Sequence, residues 1–214
     1  MKLFKLYRLC RKSDTSFIVL IFRYIVYKLR GKEILAHHKS IIKGIENIET
    51  KAILHIGTSY FGFVHKNDIT YLNVQGKLKA NGNVSIGRGC RFDIGEKAIV
   101  QIGNNSSINP FSTFIIQHNL EIGRNCLISW SCQFLDEDFH KLEYEGKRED
   151  ALNDIVIKDN VWIGSKVSVM KGTYIASGSV VASNSVVKGV FQEENVLIAG
   201  NPAKIVKRNI SWEK

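Results

Sequence analysis

Proline is nearly absent from this chain, with 2 residues in 214. Cysteine is scarce too. Cys10, Cys90, Cys126 and Cys132 form neither a CxxC pair nor a Cys/His cluster at zinc-ligand spacing. A disulfide scaffold is therefore excluded, since those are cysteine-dense small domains, and no metal site is expected. The thiols read as reduced packing residues of a cytoplasmic protein. No apolar run is long enough to span a bilayer. The best, Phe17 to Tyr27, is about half the ~20 residues required and holds Arg23 in its middle. The same interruption, without a small-x-small cleavage site, argues against a secretory signal despite the basic start. Disorder is excluded by an apolar content of 44%. Collagen is excluded because the 17 glycines do not recur every third position.

Acidic residues are outnumbered, 20 against 30 Lys and Arg, which leaves a net charge of +10. The excess is local. Residues 1–51 hold 12 basic and 4 acidic residues, and the remainder is nearly neutral, with 18 and 16. The near-neutral part shows no finger, helix-turn-helix or RNA-binding aromatic motif, so nucleic acid is not an expected partner.

What the chain does have is a period of six. A branched aliphatic residue returns at Ile157, Ile163, Val169, Ile175, Val181 and Val187. Four positions after these come the small or β-branched Val161, Val167, Thr173, Ser179 and Ser185. The same unit occurs earlier at Ile86-Gly87, Ile102-Gly103, Ile108-Asn109, Ile122-Gly123 and Ile128-Ser129, with phase slips near Ile94–Ile102 and Phe114–Ile122. Six fits neither a 3.6-residue helix nor an alternating hairpin sheet. It fits a solenoid with a short strand and a corner every six residues, three edges to a coil, coils stacked at the ordinary strand spacing of ~4.8 Å. Gly and Asn turn the corners. Cys90, Cys126 and Cys132 occupy the small inward position.

The repeat is broken after Phe134, where residues 136–154 are polar and aperiodic, and long loops inside regular repeats are usually functional. Ahead of the repeat, Phe17 to Leu29 has helical periodicity. Lys12, Ser16, Arg23, Tyr27 and Arg30 fall in one ~60° arc, opposite a mostly aliphatic face. Three parts result: a basic N-terminal segment with an amphipathic helix (1–51), a β-solenoid with its loop (52–208) and a short tail (209–214).

These hexads, and above all the stretch from Asn160-Val161-Trp162-Ile163-Gly164-Ser165 to Ala199-Gly200-Asn201-Pro202-Ala203-Lys204, resemble the hexapeptide-repeat acyltransferases. The resemblance covers roughly residues 80–208 and is strongest to the serine, galactoside and maltose acetyltransferases and to polysaccharide O-acetyltransferases. It implies a mainly β fold, a left-handed parallel β-helix, assembled as a homotrimer with acetyl-CoA between neighbouring subunits. It implies a saccharide acceptor, with an amino sugar or serine as the alternative. A non-catalytic scaffold is the remaining reading.

Acyl transfer from a thioester needs a base for the incoming group and donors for the oxyanion. Of six histidines only His140 lies in the interrupting loop, at the place of the family's catalytic His. If Asp136, Asp138 and His140 are extended, they project to one side, and Asp138 would orient the imidazole. His118 is the runner-up base, expected to be exposed at a corner. The resemblance places Asn109 near the acceptor and Gln117 where sugar acetyltransferases carry an acidic residue. It assigns the cofactor to Trp162, Gly164, Ser165, Ala182 and Ser183, with the Ser165 N–H serving the oxyanion, and its phosphates to Lys188, Lys204 and Lys207. The basic residues 1–30 would either touch the inner face of a membrane or pack on the trimer.

Overall fold

The computed structural model describes residues 3–59, 61–140, 143, 144, 147, 148 and 153–213. From Ile34 onward the chain winds into a three-sided parallel coil. One turn runs through Val84–Ile86, Arg91–Ile94 and Ile99–Gly103, one strand on each face, and the next repeats it at Ser106–Ile108, Thr113–Ile116 and Asn119–Ile122. We call these the first, second and third faces. The second and third hold seven strands each. The first is longer and ends with Leu197–Gly200 paired to Ala203–Lys207, which runs antiparallel.

The six-residue period becomes three inward columns. On the first face Ile56, Ile86, Ile108, Ile128, Ile163, Val181 and Ile198 stack in register. On the third face Ile102, Ile122, Ile157, Ile175 and Phe191 do so. The second face carries Leu72, Phe92, Phe114, Phe134, Val169 and Val187. Its rings lie nearly parallel, with centroids 4.3 Å and 4.6 Å apart, the spacing the strands impose. The small positions Val161, Val167, Thr173, Ser179 and Ser185 are buried as expected. So are the thiols, and burial pushes Cys90 up to about 12 and Cys132 up to about 11. The phase slips mark coils whose strands run to four or five residues, against two in Trp162–Ile163. Asn105, Asn125, Asn160, Asn184 and Asn195 turn corners with positive φ.

The coil starts well before the 51/52 boundary, with Ile34–Ala36, Ile41–Lys43 and Ile48–Thr50. Its opening turns escape the hexad pattern because a 3-10 turn (Ile45–Asn47) and a second loop, 57–70, interrupt them. Ahead of it lie two helices, α1 (Leu3–Lys12) and α2 (Phe17–Leu29). Leu6, Cys10 and Leu20 bury Leu35 of the first strand. α2 sits the opposite way round from an ordinary surface helix. The middle of its polar arc turns inward, while Lys12 and Arg30 at its ends stay exposed: Arg23 donates to the carbonyls of His37 (3.0 Å) and His38 (3.1 Å), and Tyr27 packs on the core. Lys32 likewise donates to the carbonyls of Glu46 and Ile48 at the open edge of the first turn.

His37 is held neutral by this packing. It is buried, one ring nitrogen lies 3.1 Å from the Asp14 carbonyl, and the other accepts the Lys39 N–H. Burial, then the charge of Arg88, lowers its pKa to about 4. The unfolded chain therefore takes up this proton first, near 6.5, and stability falls as pH drops from there toward 4. The expected loss is roughly 3 kcal/mol over that window. Urea midpoints across the window test this, and a His37→Gln variant with an unchanged pH profile would refute it.

Candidate active site

The loop leaves the second face after Gln133–Leu135 and returns to the third at Ile155–Ile157, so it stands on the corner between those faces. Its root is fixed by a buried carboxylate. Asp136 accepts the backbone N–H of Gln117 (2.7 Å) and of His118 (2.8 Å). Burial raises its pKa, and the two N–H donors pull the other way. The next residue, Glu137, lies 2.8 Å from His118 Nε2, and the Asn153 amide reaches the same nitrogen at 3.0 Å. The hydrogen bond to His118 lowers the pKa of Glu137. His118 is thus a half-buried, held imidazole rather than the exposed corner residue expected.

The alternation expected for Asp136, Asp138 and His140 fails. Phe139 has φ 61°, which turns the chain between the last two. Asp136 points into the core, while the exposed Asp138 forms an ion pair with Lys171 at 2.7 Å. Lys171 is itself nearly buried, so this pair ties the loop to the coil below. Asp138 therefore anchors the backbone beside His140 and does not orient its ring. His140 is exposed, at the head of the loop. The middle of the loop lies outside the described residues, apart from a short hairpin of Glu143–Tyr144 with Lys147–Arg148.

The residues assigned to the donor lie elsewhere. Gly164, Ser165, Ala182 and Ser183 form the corner between the first and second faces, with Asn109 in the same column two turns above. A Cβ on Gly164 would sit 2.7 Å from the Ser183 nitrogen and from the Val181 carbonyl oxygen, so only glycine lets the turns close. The Ser165 N–H donates to Ser183 Oγ at 3.1 Å, so it can serve an oxyanion only once that hydroxyl rotates away. Trp162 is part-exposed on the first face, and its indole N–H donates to Ser129 Oγ. Lys204 and Lys207 are exposed on the antiparallel strand that ends the first face. Lys188 follows the last strand of the second face, on the loop's corner. Gln117 is on that corner too, its side chain lying over Gly95.

The assigned residues are therefore divided between two corners of one prism. Sequence reasoning missed the aromatics beside Asn109: Phe63 stands 6.0 Å from Phe111 and 5.7 Å from Trp130, centroid to centroid, with Phe63 and Trp130 exposed. A large ring at a corner position, as in Ile128-Ser129-Trp130, was the available signal.

The family model for bacterial transferase hexapeptide (six repeats) matches residues 154–189. An uncharacterized 24.8 kDa protein in the cps region of Klebsiella pneumoniae is 42% identical over 95% of this chain and 92% of its own length. The putative lipopolysaccharide biosynthesis O-acetyl transferase WbbJ of Escherichia coli K12 is 30% identical, over 67% of this chain and 80% of its own. The chain belongs to the hexapeptide-repeat acetyltransferases. Among solved structures, the polySia specific acetyltransferase NeuO aligns with a TM-score of 0.57 at 25% identity, covering 85% of this chain and 76% of that one. The coil of this hexapeptide-repeat acetyltransferase is the left-handed parallel β-helix of those structures.

Proposed function

We propose that the protein transfers an acetyl group from acetyl-CoA to a hydroxyl of a saccharide, a surface polysaccharide or its lipid-linked precursor, with His140 as general base. The observation that carries this reading is the division just described. His140 heads the loop on one corner, and the narrow cradle of Gly164, Ser165, Ala182 and Ser183 lines another. Small side chains there let an extended pantetheine arm lie close along the backbone. Lys204 and Lys207 supply ammonium groups for phosphate.

Acetyl-CoA supplies an acyl group already activated as a thioester. The chain's part is to align the acceptor, take its proton on the His140 imidazole and return that proton to the departing thiolate. A Ser165 N–H freed from Ser183 would meet the developing oxyanion. The exposed Phe63 and Trp130 faces beside Asn109 suit the apolar faces of sugar rings.

The site closes when the loop corner of one chain meets the cradle corner of another, as in a homotrimer. Mixed assembly tests both ideas together. Chains carrying His140→Ala alone, or Ser183→Tyr alone to fill the cradle from an exposed position, are each expected to lose activity. Refolded together, they are expected to regain about a quarter of the parental sites, the statistical share in which the intact corners face each other. Absence of any regain in correctly sized mixed trimers would show that each chain completes its own site.

His118, held by Glu137 at 2.8 Å, is the second reading for the base, since that carboxylate would stabilise its protonated ring.

A further inference from the structure

The least satisfied surface among the described residues is the outer face of α2. Ile18, Phe22, Ile25 and Leu29 follow one another at helical spacing and are 80%, 67%, 52% and 84% exposed. The helix has spent its polar stripe on the coil, through Arg23 and Tyr27, and presents its apolar stripe outward. Isolated apolar side chains on a surface are ordinary; four in register on one helix mark a partner.

The charge around the face says which partner. Neither α1 nor α2 contains an acidic residue. Lys5, Arg8, Arg11 and Lys12 are exposed on α1, and Arg30 and Lys28, the latter paired with Glu33 at 3.2 Å, at the end of α2. The spacing of the four apolar residues would also suit a helix seam, but such seams are flanked by charges of both signs. Two copies meeting here would bring cation against cation. No helix among the described residues is long and apolar enough to cross a membrane, and α2 has 13 residues, about 20 Å of helix.

We infer that α1 and α2 lie on an anionic lipid bilayer, with Ile18, Phe22, Ile25 and Leu29 entering the headgroup boundary and the basic residues meeting the headgroups. The solenoid is thereby held at the surface by the end of the coil that α2 covers. This inference does not rest on the reaction proposed above, and fails or stands separately from it.

The test is flotation of the full chain with vesicles of mixed phosphatidylcholine and phosphatidylglycerol, beside pure phosphatidylcholine. The chain is expected to float with the mixed vesicles and to be released by salt. Phe22→Asp with Leu29→Asp, both at exposed positions, should lower partitioning about tenfold or more, while circular dichroism and thermal midpoint stay those of the parent. A full chain that stays with the unbound fraction at low salt overturns the inference. So does a folded double variant that floats as the parent does, or one whose only change in light scattering and flotation is a smaller assembly, since the face would then join copies of the chain.

Discussion

Replacing His140 with alanine is expected to lower kcat by about a thousandfold, within the range a positioned general base contributes. KM for both substrates should change little, because the imidazole is exposed and its proposed part is proton transfer in the transition state. The contrast with His118 is what makes the experiment informative. His118→Ala removes a half-buried ring that Glu137 and Asn153 both contact, so its cost should appear in thermal stability first and in kcat far less. A larger loss of kcat in His118→Ala than in His140→Ala would transfer the base to the His118–Glu137 pair. Equal activity of the His140 variant and the parent, in a correctly assembled protein, would end the general-base proposal.

The second large effect concerns the fold. Phe114 lies between Phe92 and Phe134 in the second-face column, with rings at 4.3 Å and 4.6 Å and no exposure. Strand spacing fixes the rings above and below, so the column cannot close over a void. Phe114→Ala should therefore cost about 3–5 kcal/mol, which lowers the midpoint by roughly 10 °C in a domain of this size. Ile108→Val, a methyl lost from the neighbouring column, should cost only about 1 kcal/mol. Comparable losses from the two would mean the column relaxes, and the rigid-stack account would be wrong.

The core of the coil was legible because a six-residue period maps directly onto inward columns: Ile157, Ile163, Val169, Ile175, Val181 and Val187 are all completely buried. The opening turns were not legible, because the 3-10 turn and loop 57–70 hide the period. At the site, the loop and His140 could be found from where the repeat stops. The fate of Asp138 could not, since one positive φ at Phe139 undoes the alternation on which its role depended. Nor could the corner that Lys188 occupies, since spacing along the chain does not give it. α2 shows the same limit in another form. Periodicity identified its polar arc but not the direction that arc faces, which Arg23 decides by meeting carbonyls at the open edge of the first turn.

The two ends of the longest sheet bear on how such a coil avoids polymerising. Any stack of parallel strands ends in strands that would template another copy, and nothing in a six-residue repeat tells it where to stop. Here the first strand lies under α2, and the last is met by Ala203–Lys207 running the wrong way for a further turn. That outermost strand carries Lys204 and Lys207, charges suited to repelling an incoming edge. The same lysines that suit phosphate would then also act as a stop against fibre growth, and removing the strand from Ala203 onward would expose a bare edge prone to end-to-end association.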